Sequence, residues 1–277
     1  MPAPPSSRPP SISRDIDGAR LVLIFDHAMY NPSPSQQAQI QGFSRAEALP
    51  YLRRVYLLFS GGVAFTIAGA LIALYVGEPA VVRSGDATLS IPPMVAFGMD
   101  HWIIMMLAFF GAFMVASRVR RAPGLNVLAL FAFTFITGLF LAPTLFIAQA
   151  MASQGTTLDA SPVRDAFLLA GGAFTGLSGY VLITRKDFSF LGAALSMGIW
   201  VILGGILLSM FFHAAVFQLA IASAGVLLFC GYILYDTSRI LQEREENDAV
   251  GAALRLFLDV VNLFTFLLRI LSSSRQR

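Results

Sequence analysis

The sequence predicts an all-α, polytopic membrane protein with seven transmembrane helices. Hydrophobic residues make up 56% of its 277 residues and charged residues only 13%, whereas an ordinary soluble domain has about 25% charged residues. Its mean hydropathy is +0.71. Uncharged runs long enough for a bilayer-spanning helix of ~20 residues recur along the chain. A soluble enzyme is therefore nearly excluded.

The uncharged runs give six spans and a weaker seventh. In chain order they cover residues 55–77, 101–117 (a run that extends back to 94 if Asp100 is included), 122–158 and 166–184, and then 188–235, which holds two spans joined by a turn near His213. The last candidate, residues 250–271, is interrupted by Arg255, Asp259 and Arg269. Seven spans are the count that we expect.

Residues 1–48 differ from the rest in composition. They are rich in serine and glutamine and carry seven prolines: Pro2, Pro4, Pro5, Pro9, Pro10, Pro32 and Pro34. No long apolar core follows the early arginines, so this segment does not resemble a signal peptide. We expect a flexible cytoplasmic tail at 1–48 and a seven-helix transmembrane domain at 49–277.

Basic residues indicate the orientation, because cytoplasmic loops carry an excess of Lys and Arg. With a cytoplasmic N-terminus, 14 of the 19 basic residues lie inside: Arg8, Arg14, Arg20, Arg45, Arg53, Arg54, Arg118, Arg120, Arg121, Arg185, Lys186, Arg239, Arg244 and Arg255. Seven spans then place the C-terminus outside, where Arg275 and Arg277 run against the rule. The external segments carry Glu78, Asp86, Asp100, Asp159 and Asp165. Such an acidic face suits a cation entrance, although acidic residues also simply tolerate translocation.

Composition also limits the partners and cofactors. The single cysteine, Cys230, excludes a disulfide framework and a cysteine-based metal site. The arginines follow the loops rather than forming one patch, so we expect the lipid bilayer and no nucleic acid as partner. We expect no tightly bound cofactor.

Asp236 and Asp259 are the leading candidates for function, because charge inside a membrane is costly and marks functional sites. Asp236 ends the sixth span in YILYDTSRI, and Asp259 lies two to three turns into the seventh in LFLDVVNLF. Two structural alternatives stand beside this: Asp236 pairing with Arg239 one turn on, and Asp259 pairing with Arg255 four residues earlier.

The sixth and seventh spans are antiparallel neighbours, so the two aspartates are expected at similar depths on the cytoplasmic side. Two carboxylates in a low-dielectric site do not both ionise cheaply, and the pair titrates as a unit. The pair is therefore a candidate pH sensor and gate, and its oxygens suit Ca²⁺. Arg120 closes the second span on the same side and is a candidate latch for either carboxylate, or else a topology determinant only.

The segment Gly176-Leu177-Ser178-Gly179 matches the GxSG nucleophile pattern of intramembrane serine proteases. The candidate bases His101 and His213 lie near the outer helix ends, roughly 20 Å from Ser178 at ~1.5 Å per residue. We therefore expect no enzyme. Gly172 and Gly176 are expected instead to form a small-residue surface for close helix packing.

Four segments of the chain resemble the Bax inhibitor-1 family, also called the transmembrane Bax inhibitor motif family, in its bacterial branch. They are FAFTFITGLFLAPTLF, TRKDFSFLGAAL, YILYDTSRI and LFLDVVNLFTFLLRIL. The resemblance covers residues 50–271. It implies six helices around a central seventh, a bacterial inner-membrane location, and a pH-sensitive Ca²⁺ leak controlled by an aspartate pair. Those positions match Asp236 and Asp259, and the family's latching arginine matches Arg120.

One departure concerns an acidic residue that some members carry inside the second helix, since Phe109 lies near that place here. An alternative function also follows from the family, whose bacterial members include proteins that bind and modulate a membrane-anchored AAA protease. Those members lack one or both aspartates, whereas this chain has both, which favours the leak with Ca²⁺ as permeating or competing ion. Deletion of residues 1–45 discriminates, because a regulator acting through its tail loses activity and a leak persists.

Overall fold

The computed structural model describes residues 45–84, 87–153, 161–212, 214–242 and 248–274. The elements in chain order are α1 (Arg45–Tyr75), β1 (Ala80–Ser84), β2 (Ala87–Ile91), α2 (Pro93–Asp100), α3 (Trp102–Val119), α4 (Leu125–Ser153), α5 (Pro162–Thr184), a 3-10 turn (Ser189–Leu191), α6 (Gly192–Ser209), α7 (Ala215–Gln242) and α8 (Ala249–Ser274). The predicted tail residues 1–44, His213, Arg244 and the C-terminal residues 275–277 lie outside the described residues.

Six described helices are long and apolar enough to cross a membrane: α1, α3, α4, α5, α6 and α7. Each coincides with one of the six spans expected from the uncharged runs. The all-α, polytopic membrane fold is thus confirmed. The seventh candidate is α8, which carries three charged residues and is not among these six. That it completes a count of seven spans stays a prediction.

The helix α8 is the most enclosed of the long helices. It packs against α4, α5 and α7, and its residues contribute to three separate clusters of the apolar core. Leu256 and Leu263 are completely buried, and Phe257 is nearly so. The helices around it instead expose large apolar side chains, such as Leu107 on α3 and Trp200 on α6. This is the arrangement of outer helices around a central last one that the family resemblance implies.

The closest helix approach lies between α1 and α4, at Gly69 and Gly138. A Cβ atom on Gly138 would overlap the carbonyl oxygen of Thr66 and lie 2.8 Å from the backbone nitrogen of Ala70. A Cβ atom on Gly69 would overlap the carbonyl oxygen of Phe135. Only hydrogen side chains allow the two backbones to touch here, which is the usual role of small residues between membrane helices.

The sequence placed this kind of packing at Gly172 and Gly176, and that prediction is wrong. A Cβ atom on either glycine would meet nothing within 4 Å. Their spacing marks one face of α5, but spacing alone does not show whether another helix covers that face.

The second predicted span is interrupted. Residues 94–117 form α2 and α3, with a break at His101, whose backbone φ and ψ are −117° and 40°. The ring of His101 stacks on Phe97 at 4.6 Å between centroids. Before α2, β1 and β2 form an antiparallel hairpin from Ala80 opposite Ile91 to Ser84 opposite Ala87. The sequence prediction included no strand.

Candidate functional site

Asp236 and Asp259 meet between α7 and α8. Asp236 lies six residues before the end of α7, and Asp259 ten residues after the start of α8. Because the two helices run antiparallel, Asp259 lies about one turn deeper than Asp236, or ~6 Å at ~1.5 Å per residue. The two carboxyl groups are within hydrogen-bonding reach of each other. The structure therefore brings together the two residues that the sequence singled out.

Arg255 completes this pair. It lies six residues into α8, at the depth of Asp236, and its Nε is 3.7 Å from Asp236 Oδ1. The side chain of Arg255 is 35% exposed and that of Asp236 only 6%. The guanidinium therefore reaches from the edge of the bundle to a buried carboxylate. The sequence alternatives assigned Arg255 to Asp259 and Arg239 to Asp236. Both cations do act electrostatically on those carboxyl groups, and the ion pair Arg255–Asp236 is added to them across α8 and α7.

Asp259 has no such cation at ion-pair distance within the described chain. It is 6% exposed, and its Oδ2 atom is buried without a hydrogen-bond partner among the described residues. A buried, unsatisfied carboxylate oxygen is costly unless the group is protonated or faces an ion or water. The Oδ2 atom of Asp259 is therefore the feature of the site that most directly indicates binding of a proton, an ion or water.

A layer of hydroxyl groups lies next to the carboxyl pair. Ser178 Oγ on α5 is 3.1 Å from Thr237 Oγ1 on α7, and both residues are buried. The hydroxyl of Tyr56 on α1 lies near these two groups but is buried without a hydrogen-bond partner among the described residues. Three helices thus direct polar groups toward the residue that follows Asp236.

Ser238, the next residue of α7, holds the loop before α6. Its hydroxyl accepts a hydrogen bond from the Phe188 backbone nitrogen at 3.3 Å and donates one to the Tyr235 carbonyl oxygen at 2.9 Å. In the same loop the Ser189 backbone N–H donates to Asp187 Oδ1 at 2.7 Å, which lowers the pKa of that exposed carboxyl group. The conspicuous TRKDFSFL segment is therefore fastened to α7 beside the aspartate pair.

Ser178 has none of the surroundings of a nucleophile in the described part of the chain. Its neighbour is a threonine hydroxyl, and His101 lies before the first turn of α3, whose 18 residues span about 27 Å. The far end of α3 is the one that approaches α8, so the helix separates His101 from this layer. His213 is outside the described residues.

Arg120 contacts a different aspartate from the one expected. Its Nη1 lies 3.3 Å from Asp248 Oδ2, so the prediction that it pairs with Asp236 or Asp259 is wrong. The physical reason is depth: Arg120 ends α3 at the surface of the bundle, level with the start of α8, whereas the two aspartates lie farther inside.

Asp248 is a buried charged residue that the sequence reasoning missed. It precedes α8 and caps it, since the Gly251 backbone N–H donates to Asp248 Oδ1 at 3.0 Å. A Cβ atom on Gly251 would overlap this carboxylate, so glycine is needed there. An aspartate just before an apolar helical run, with a small residue in the first turn, is a readable capping signal.

The predicted Ca²⁺ site at Asp236 and Asp259 has few oxygen ligands. The described residues contain no group of three or more His, Cys, Asp or Glu side chains that is arranged for a metal ion. Ca²⁺ takes six to eight oxygen ligands, and here one of the two carboxylates is already paired with Arg255. A passing or competing ion suits this pair better than a resident one.

Comparison with known proteins identifies the family. The model of the family described as inhibitor of apoptosis-promoting Bax1 matches residues 50–276. The chain belongs to the Bax inhibitor-1 family. An uncharacterized protein of Campylobacter jejuni is 34% identical over 90% of this chain and 100% of its own length. Mouse protein lifeguard 4 is 30% identical over 83% of this chain and 87% of its own.

Family relatives with an anti-apoptotic name also match, over a smaller part. The Golgi anti-apoptotic protein of vaccinia virus strain Lister is 36% identical over 48% of this chain and 56% of its own length.

In the place where some Bax inhibitor-1 members carry an acidic residue, Phe109 packs among Phe133, Phe140 and Phe110, with centroid distances of 5.4, 4.9 and 5.4 Å. That part of α3 is therefore aromatic packing in this chain.

Proposed function

We propose that this Bax inhibitor-1 protein is a pH-sensitive Ca²⁺ leak of the bacterial inner membrane, gated by Asp236 and Asp259. The observation that carries the proposal is the meeting of two buried carboxyl groups from neighbouring helices, one with an unsatisfied oxygen. A purely structural ion pair needs one carboxylate for Arg255, so the second carboxyl group at this depth calls for another role.

The closed state has one proton on the pair. Arg255 stabilises the ionised form of Asp236, and Asp259, deeper and without a cation beside it, holds the proton and donates it to Asp236. This hydrogen bond between a neutral acid and a carboxylate joins α7 to α8. It leaves one negative charge on the carboxyl pair, which Arg255 and the nearby Arg239 stabilise.

A change of protonation in either direction disrupts this arrangement. Loss of the shared proton removes the hydrogen bond and places two negative charges next to each other in a buried site, which drives the carboxylates apart. A second proton neutralises Asp236, which removes its ion pair with Arg255. Ca²⁺ competing for the carboxylate oxygens displaces the shared proton and so removes the hydrogen bond between the two side chains. In each case α8 is released from α7, and we assign the leak to that state.

The test is Ca²⁺ flux into liposomes that hold purified protein and an internal Ca²⁺ dye, scanned between about pH 6 and 8. Asp236→Asn and Asp259→Asn keep the shape of the side chains and remove the titratable group. Each should flatten the pH response, and the double variant should do little more, because residues of one network are non-additive.

Asp187→Asn is the matched control, since Asp187 is an exposed carboxylate in the loop beside α7 and lies outside the pair. It should keep the wild-type profile. Additive effects of the two single variants, or an unchanged pH profile in both, would refute the shared-proton gate. Absence of any flux above that of protein-free liposomes would favour the alternative, a regulator of a membrane-anchored protease.

A further inference from the structure

A cavity of about 1070 Å³ lies between α1 and α5, apart from the aspartate pair. Side chains of α4 and α8 form its back wall, among them Leu141, Val260 and Phe264. Its volume is at the upper limit of small-molecule sites, which run from about 300 to 1,000 Å³. Nothing in the proposed gate uses it.

The lining is apolar along its depth and polar at one end. Ser90, Gln149, Ser161 and Arg164 lie at this end, where α4 ends and α5 begins. Along the depth the hydroxyls of Thr66 and Thr175 donate to backbone carbonyl oxygens, so they add little polarity to the lining. The inner end is closed by Phe59 and Phe174, whose rings stack at 4.6 Å between centroids. A hydrated divalent cation finds no row of oxygen ligands here, so this cavity is not suited to be an ion vestibule.

The mouth of the cavity is continuous with the outer surface of the bundle. Ile67, Leu71 and Tyr75 on α1 and Phe167 on α5 line it and are 42%, 49%, 79% and 50% exposed. In an integral membrane protein, apolar side chains exposed on spanning helices face hydrocarbon. The cavity therefore opens sideways into the bilayer.

We propose that this cavity binds one acyl chain of a membrane phospholipid. The α5 residues that line it run from Arg164 to Thr175, a depth of about 16 Å at ~1.5 Å per residue. One leaflet contributes about half of a hydrocarbon core of ~30 Å, so the depth matches one chain of one leaflet. The polar rim then lies at the level of the lipid headgroup and the stacked phenylalanines at the bilayer centre.

The glycines of α5 supply a matched pair of variants. Gly171 lines the cavity, Gly172 is not among the lining residues, and a Cβ atom on either would meet nothing within 4 Å. Gly171→Leu therefore adds apolar volume to the cavity at a position where the Cβ atom meets no neighbour, whereas Gly172→Leu adds the same side chain elsewhere on the same helix. Both variants should fold, because leucine is the better helix former.

The experiment uses full-length protein in nanodiscs of phosphatidylcholine that contain a small share of phosphatidylcholine with a photoreactive diazirine midway along one acyl chain. After illumination, mass spectrometry should find labelled peptides from α8 around Val260 and Phe264. Gly171→Leu should abolish that label, and Gly172→Leu should keep it. Trp200 on α6, which is 75% exposed, reports ordinary surrounding lipid and should be labelled equally in all three proteins.

Label on Trp200 without label on α8, or α8 label that persists in Gly171→Leu, would overturn the proposal. A second measurement tests whether the cavity is filled with water instead of an acyl chain. In a Cys230→Ala background, Val260→Cys should resist a membrane-impermeant thiol reagent applied from either side, and rapid reaction would overturn acyl-chain binding. Neither readout requires ion flux, so the outcome is independent of the proposed leak.

Discussion

Asp248 acts on α8 in two ways at the scale of a single residue. One carboxylate oxygen accepts the Gly251 backbone N–H and so satisfies a donor of the first helical turn. The other lies 3.3 Å from Arg120. Asp248 is 2% exposed, whereas the side chain of Arg120 is 39% exposed. The start of α8 is thereby fastened to the end of α3.

Variants at Asp248 should separate the cap from the ion pair. Asn caps a helix about as well as Asp, so Asp248→Asn and Arg120→Ala should lower the free energy of unfolding by a similar, small amount, up to about 1 kcal/mol for a pair with one partly exposed partner. Asp248→Ala should cost about 1 kcal/mol more, because it also removes the cap. Thermal unfolding in detergent measures all three.

The double variant Arg120→Ala, Asp248→Asn provides the check, since it should be no less stable than either single variant. In the liposome assay Arg120→Ala should leave the midpoint of the pH response unchanged, because the partner of Arg120 lies outside the aspartate pair. A shifted midpoint would return Arg120 to a direct role in the gate.

Ser178 should tolerate the loss of its hydroxyl. Ser178→Ala removes a neutral hydrogen bond to Thr237, which contributes about 1 kcal/mol, and leaves the helices in place. Flux should stay near the wild-type level, and a fluorophosphonate probe should not label the protein. Covalent labelling of Ser178 by that probe would show a nucleophile where the structure shows a packing contact.

At the scale of elements, the crossing of α1 and α4 depends on glycine. Gly138→Ala places a Cβ atom against the backbone of Thr66 and Ala70, and the helices have to separate to accommodate it. Overpacking of this kind costs about 1–3 kcal/mol. We expect a lower unfolding temperature and less monodisperse protein in size-exclusion chromatography.

Gly176→Ala is the control for this crossing, because open space lies beyond Gly176. It should leave the unfolding temperature unchanged or raise it slightly, since alanine is the better helix former. Equal losses in the two variants would mean that an unseen partner covers the glycine face of α5.

At the scale of the whole molecule, the basic residues agree with one orientation. The described ends of α3, α5 and α7 and the first turns of α8 carry Arg120, Arg185, Arg239 and Arg255. The ion pairs Arg120–Asp248 and Arg255–Asp236 place three of these helix ends on one side of the bundle. By the positive-inside rule we predict that this side faces the cytoplasm.

Reporter fusions measure this topology directly. A fusion at residue 10 should report the cytoplasm and one at residue 277 the outside, because seven spans place the termini on opposite sides. Two cytoplasmic signals would contradict seven spans and make α8 an element that enters the bundle without crossing. A truncation after α7, with the reporter following residue 242, should report the cytoplasm in either case.

Local sequence alone was enough to predict the fold class and the six apolar spans and to single out Asp236 and Asp259 as candidates. These follow from local composition: about 20 uncharged residues need hydrocarbon around them, and a carboxylate within such a run stands out against it. The motifs of the last two helices also carried the Bax inhibitor-1 resemblance. None of this requires knowledge of which helix touches which.

The contacts between side chains of different helices became known only from the tertiary structure. Arg255 reaches Asp236 across two helices, Arg120 reaches Asp248, and close packing occurs at Gly69 and Gly138 rather than at Gly172 and Gly176. Charge and size are properties of a residue, but pairing depends on depth, helix rotation and neighbours that are distant in sequence. The cavity between α1 and α5 likewise could not be read from the sequence, because it exists only where these two helices separate beyond Phe59 and Phe174.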